Sequence, residues 1–234
     1  MAGATLVLLG TVKLVAPVAV EELVDMVWQL PIHHITRWLQ LEVLHCSTME
    51  KDSGTCYQVV CLENPACSRR PIRVTITDEC PGGPCASEPA HFDLSGKAIG
   101  ALAIHGQADQ LRAAGVLRVV YRRVPCTFRE SSYSSPTIGL HVDAGANPYY
   151  MAFVVEYQEG YGDLASVEIQ PAGGSFIPMQ QMRSAVWKVN SGSALTGPFN
   201  VRLTSGESGK VIVAQAVIPV DWSADATYRS MVNF

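Results

Sequence analysis

The chain has 234 residues, 48% of them apolar and 16% charged, with a formal net charge of -4. That length allows one large domain or two small ones, each with its own core. The acidic balance, with no basic block, excludes the electrostatic footprint of a nucleic-acid binder and does not favour an anionic membrane surface.

Residues 1–20, MAGATLVLLGTVKLVAPVAV, form an apolar run without a basic start, interrupted by Lys13 and Pro17. They read as a weak secretory signal. No uncharged apolar stretch is long enough for a membrane-spanning helix. In residues 20–45, Leu23, Met26, Val27 and Leu30 recur at helical spacing, as do Ile35, Trp38, Leu39 and Val43. Pro31 separates the two runs, and Glu42 interrupts the second. His33 and His34 would diverge on a helix, so they read as a solvated loop rather than a ligand pair. Residues 1–50 stand apart as an atypical N-terminal segment.

Six of the seven cysteines (Cys56, Cys61, Cys67, Cys80, Cys85 and Cys126) fall in one stretch, and none follows Cys126. The pattern predicts disulfides in one module, none in the next, and an oxidising compartment. No CxxC pair is present, so no metal site is expected. Cys46 is the odd one out.

From residue 52 the pattern is strand and turn. CYQVVC (56–61) is a short apolar run. IRVTITD (72–78) alternates, with Ile72, Val74 and Ile76 on one face. CPGGPC (80–85) is a Pro/Gly loop that a Cys80–Cys85 bridge would rigidify. ADQLRAAG (108–115) is helical, with Gly115 as its C-cap. VLRVVYRRV (116–124) is a strand ending at Pro125-Cys126. The polar, Ser-rich stretch 127–136 reads as a linker. After it come short strands separated by turns such as EGYGD and SGESGK, which predict a β-sandwich. The chain has no Gly-rich phosphate loop, GxSxG elbow or zinc signature.

In EPAHFDLSG (88–96), a strand would put His91 and Asp93 on one face and Phe92 on the other. The competing reading is a turn entry in which Asp93 accepts backbone hydrogen bonds. Glycoside cleavage needs two carboxylates across the bond, and Asp78 is the nearby companion. If the chain folds back through the 79–90 loop, Asp78 and Asp93 face one groove, lined by His91 and Thr77. Otherwise Asp78 caps a turn and Asp93 stabilises the Ser-Gly bend. Sugar rings stack on flat apolar surfaces. Tyr149, Tyr150, Tyr157, Tyr161, Trp187 and Trp222 are the stock for such contacts. Trp187 and Tyr157 lie on strands that read as core, whereas Tyr150 follows Asn147-Pro148, where exposure is expected. Tyr150 and Trp187 are kept as candidate sugar contacts.

CYQVVC…ACS, TITDEC, HFDLSG, IGALA, DQLRAAG, RRVPC, NPYYMAFVVEY, YGDL and GPFNVRLTS, in order over roughly residues 52–234, resemble the β-expansins of grasses. The CPGGPC insert is similar to the vegetative members rather than the pollen allergens. The resemblance implies a mainly β fold: a six-stranded double-psi β-barrel, similar to family-45 endoglucanases, followed by an immunoglobulin-like carbohydrate-binding sandwich. The barrel would span 51–126, the linker 127–136 and the sandwich 137–234. It implies a secreted, monomeric protein of the plant cell wall. Its ligand would be xylan, glucan or cellulose, with no cofactor and no protein partner. The activity implied is pH-dependent wall loosening without hydrolysis. Asp93 aligns with the endoglucanase-like acid and Asp78 with the second groove aspartate. Cys56 would pair with Cys126, and Cys61 with Cys67. Tyr150 matches a sugar-platform aromatic.

Residues 1–50 lack the family's TWYG-like and GGACGY-like opening. An incomplete barrel is therefore expected, since a lost strand leaves open edges. Where relatives read SWG, this chain has Met182-Arg183-Ser184. Arg183 thus stands in for the platform tryptophan, and weaker glycan binding is expected. Two other outcomes follow from the same residues. One is an active hydrolase with Asp93 as general acid and Asp78 as base; the other is a truncated product that only binds carbohydrate.

Overall fold

A computed structural model describes residues 11–12, 42–46, 53–79, 91–128, 137–182 and 185–234. These form two compact units. The first is built on 56–124 with strand 42–46, and the second on 125–234 with residues 53–55. The His33-His34 pair, the Cys80–Cys85 loop, the 129–136 part of the linker and Arg183 lie outside the described residues.

In chain order the first unit comprises β1 (Thr11–Val12), β2 (Glu42–Cys46), β3 (Cys56–Cys61), β4 (Ile72–Glu79) and β5 (His91–Leu94). Helices α1 (Gly96–Leu102) and α2 (Ala108–Ala113) follow, then β6 (Val116–Leu117) and β7 (Val119–Val124). Five strands form one sheet in the order β5-β2-β4-β3-β7, while β1 and β6 pair separately. Within the sheet β2 and β4 are parallel and the other pairings antiparallel. All six residues of β3 are buried, as expected of a short apolar run, with the polar Gln58 buried among them. On β4 the alternation is as the sequence predicts: Ile72, Val74 and Ile76 are buried, while Thr77 is exposed.

The core of this unit centres on Phe92. Its ring meets Tyr121 at 4.9 Å and Tyr57 at 5.6 Å, both edge-on. Leu94, Ile99, Leu102 and Leu111 complete it from β5 and the two helices. Ser95 ends β5 and starts α1, its Oγ accepting from the Ala98 N–H at 3.2 Å. Gly115, at φ +69°, closes the chain after α2 in the left-handed conformation that glycine adopts freely. Cys61 and Cys67 form a disulfide with Cα atoms 5.6 Å apart. Cys56 and Cys126 are both disulfide-bonded.

One sequence expectation is corrected here. The helical stripe read through Ile35, Trp38, Leu39 and Val43 does not continue to its end, because Glu42–Cys46 is a strand. Five residues cannot settle a period of 3.6 against one of 2. What decides is the ladder on both sides: β2 bonds to β5 along one edge and to β4 along the other.

The second unit is a sandwich of two antiparallel sheets. It runs β8 (Gly139–Val142), β9 (Tyr150–Glu156), β10 (Leu164–Gln170), β11 (Ile177–Pro178), β12 (Gln180–Gln181), β13 (Val186–Asn190), β14 (Phe199–Ser205), β15 (Val211–Ile218) and β16 (Thr227–Arg229). The sheets are β12-β13-β9-β8-β16 and β11-β10-β14-β15. Their inner faces meet in a core that includes Met151, Phe153, Trp187, Phe199, Val201 and Leu203. On the outer face of the second sheet Arg202 stands opposite Glu168. It donates two hydrogen bonds, each 2.5 Å, to that carboxylate. Its guanidinium also lies 4.1 Å from the Phe176 ring centre. Those hydrogen bonds from Arg202, aided by its charge, hold the Glu168 carboxyl below its ordinary value against a smaller desolvation effect.

Two measurements check this account. Phe92→Ala should lower stability by about 3–5 kcal/mol in urea unfolding, with amide exchange rising first in β3 and β5. Glu168→Gln should lower the melting temperature at neutral pH. Because the folded-state pKa of Glu168 is depressed, the pair stabilises above the carboxyl's unfolded value and is lost as pH falls through the folded value. The gap between wild type and variant should therefore close in acid.

Candidate functional site

Strand β5 sets up the site through its alternation. With Phe92 locked into the aromatic cluster, His91 and Asp93 must face the other way. The His91 Nε2 lies 3.0 Å from Asp93 Oδ1, and the two side chains are only 1% and 5% exposed. A carboxylate can only accept, so with Asp93 ionised the Nε2 must carry the hydrogen. The turn-entry reading of Asp93 is thus replaced by a strand position. Ser95 caps the following helix instead.

The sheet register brings in the second aspartate position. Leu44 of β2 lies opposite Asp93 of β5 on one side and opposite Asp78 of β4 on the other. Asp93, Leu44 and Asp78 therefore form one lateral row. With neighbouring strands about 4.8 Å apart, the two aspartate backbones stand roughly 10 Å from each other. The register shifts between Val43 and Leu44, so that Thr77 falls between Ile76 and Asp78 with no β2 residue of its own. Such an irregularity in the ladder locally disrupts the pairing. Cys46 lies opposite His91, one position beyond His45. Burial lowers the Arg73 guanidinium and raises the Tyr121 phenol from their ordinary values. Among the described residues no group of three or more His, Cys, Asp or Glu could hold a metal ion.

The aromatic candidates all lie in the second unit. Trp187 is 5% exposed, faces the sandwich core and pairs in register with Phe153. It is a core residue and leaves the list of sugar contacts. Trp222 packs edge-on against Phe199 at 6.5 Å. Tyr157, at φ +59°, stacks with the Arg229 guanidinium at 4.8 Å. Tyr150 is half-buried at the start of β9. The Asn147 side chain shapes the preceding turn, accepting from the N–H groups of Tyr149 at 3.0 Å and Tyr150 at 3.2 Å. Tyr149, one residue earlier, is 58% exposed. The Asn-Pro turn was the sequence signal for Tyr149 as much as for Tyr150. Leu44 gave no comparable signal, because its role comes only from its neighbours in the sheet.

Comparison with known proteins agrees with this division. A double-psi β-barrel family model, described as lytic transglycolase, matches residues 44–121, and the expansin C-terminal domain matches 138–219. Expansin-B4 of Arabidopsis thaliana is 71% identical over 184 residues, covering 79% of this chain and 69% of that protein. An Expansin-B6 from the same plant is 68% identical over 181 residues, covering 77% of this chain and 79% of the relative. Expansin-B11 of Oryza sativa subsp. japonica is 52% identical, covering 79% of this chain and 62% of its own length. Two crystal structures of a Clavibacter michiganensis expansin, an apo form and a mutant in complex with cellohexaose, align with TM-scores of 0.58. They share 21% and 22% identity and cover 82% of either chain, which supports the fold.

The hydrogen bond within the buried pair has a measurable consequence. His91→Ala should cost about 1–3 kcal/mol in thermal or urea unfolding, since it strips a partner from a buried carboxylate. Asp93→Asn, whose amide can still meet the imidazole, should cost less.

Proposed function

The chain belongs to the β-expansin family, and from that membership we propose that it loosens plant cell walls without cutting them. It binds matrix polysaccharide or cellulose and disrupts non-covalent contacts between chains. The barrel-type unit engages a glucan or xylan at the Asp93–Leu44–Asp78 row. The sandwich unit holds a chain against Tyr150. The protein acts as a secreted monomer of the wall, and its CPGGPC insert supports a vegetative role.

The observation that carries this reading is the 71% identity to Expansin-B4 over most of the chain. The geometry agrees with it. A general acid must reach the glycosidic oxygen. Asp93 is almost fully buried, with one carboxylate oxygen bonded to His91. Such a group is suited to holding a fixed shape and charge beside a polymer. Cellohexaose, found bound to the bacterial expansin mutant, makes a β-linked glucan the first ligand to test.

The test is extension of acidified plant wall strips, with reducing sugar measured in the same bath. The wild-type protein should produce creep with no release of oligosaccharide. Asp93→Asn should reduce creep to about one-tenth or less, the order expected for losing one charge-assisted hydrogen bond. Oligosaccharide release at enzymatic turnover would replace this reading with hydrolysis. Glycan binding without creep would leave only a carbohydrate-binding module.

A further inference from the structure

We propose that Tyr149 is a site of oxidative coupling, where a phenoxyl radical made by a peroxidase and hydrogen peroxide joins the protein covalently to a second phenol. The observation behind it is how differently the tyrosines of the described residues are surrounded. Tyr57 is buried, and Tyr121 packs against it and Phe92. Tyr157 meets the Phe128 ring edge-on and has the Arg229 guanidinium 4.8 Å from its centre. A positive charge so near opposes removal of an electron from the ring. The Tyr228 hydroxyl accepts from the Ser223 N–H at 2.8 Å. Tyr150 is half-buried. Tyr161 is 39% exposed and makes a further contact of its own.

Tyr149 differs from all of these. It is the most exposed, and among the described residues its phenol has no hydrogen bond and its ring no aromatic or cationic neighbour. The exposure is not that of a frayed loop. Its own N–H donates to Asn147 Oδ1 at 3.0 Å, and its carbonyl accepts from the Ser191 N–H at 2.8 Å. Pro148 before it has a fixed φ, and the Pro148 carbonyl accepts from the Leu195 N–H at 2.8 Å. The main chain on both sides is thus tied down, and a tyrosine has only two side-chain torsions left. The fold holds this ring out in solvent.

That is the geometry coupling needs. A phenoxyl radical shares its unpaired electron between the oxygen and the ring carbons ortho to it, so two radicals join only where their ring edges meet. Each phenol gives up one proton and one electron. A carbon–carbon bond forms between ortho positions, and the hydrogens on those carbons move to the phenol oxygens as the rings regain aromaticity. Hydrogen peroxide takes up the two electrons and two protons and leaves as two waters. The Cys61–Cys67 disulfide fits a compartment in which such an oxidant persists. The wall location proposed above decides only where the reaction occurs. There, coupling to a phenol-bearing polymer would fix the protein in place and end its movement along the wall.

The experiment treats the full-length protein with a heme peroxidase, hydrogen peroxide and tyramine, and locates the adduct by peptide mass spectrometry. Most of the tyramine should be found on Tyr149. Tyr149→Phe, which keeps the ring and removes the phenol, should lose most of the adduct, whereas Tyr161→Phe should keep it. In urea, which removes the difference in exposure, labelling should spread to Tyr57 and Tyr121. Oxidation of the exposed Met231 yields a sulfoxide and is told apart by mass. No adduct on the wild type, an undiminished yield from Tyr149→Phe, or an adduct mainly on another tyrosine overturns the proposal. So does a preference for Tyr149 that survives in urea, because the fold would then not be its cause. The wall-creep assay stands apart from this one: its failure would remove the wall-loosening reading and leave the coupling chemistry as measured.

Discussion

Phe92 is held edge-on by Tyr57 and Tyr121 and is fully buried. That contact anchors a strand of only four residues, His91–Leu94. Once Phe92 is fixed, the pleat leaves its two neighbours no choice of side. His91 and Asp93 share the other face, near enough to bond. A one-residue slip would turn Asp93 into the aromatic cluster and Phe92 away from it. The cost of burying a carboxylate among rings excludes that arrangement. The polar pair is therefore positioned by the apolar residue between its members.

The same logic extends sideways through the backbone. Strand β2 sits between β5 and β4, and Leu44 is the shared reference for Asp93 and Asp78. The two aspartates are about fifteen residues apart in the chain, yet they come into one row through a third strand that carries neither. The register shift at Thr77 sets which residue of β4 joins that row. In the sandwich, register acts in the same way. Tyr150 and Lys188 come from different strands and become neighbours because Tyr150 pairs with Asn190 and Ala152 with Lys188.

How much of this could be read in advance depended on how local the cause was. The alternation of Ile72, Val74 and Ile76 is a local pattern, and it gave β4. Gly115 marked the end of a helix because the required conformation is local too. The shared face of His91 and Asp93 needed only a period of two. By contrast, nothing in Glu42–Cys46 announces a strand. Its apolar spacing suits a helix equally well, and only hydrogen bonds to distant segments decide. Trp187 shows the opposite case. Its strand pattern marked it as core, while its chemistry suggested a sugar platform, and packing followed the pattern. The pairing of Asp78 with Asp93 was legible as a condition on the chain folding back, but the place of Leu44 between them was not, because the row exists only once three strands are assembled.

Strand β2 comes earlier in the chain than both of its neighbours, yet it lies between them. The width and alignment of the row are thus governed by a segment that bears neither of its aspartates. Selection acting on residues 42–46 could retune the spacing of the two aspartates while leaving both untouched. A survey of sequence drift that watched only the charged positions would miss the change.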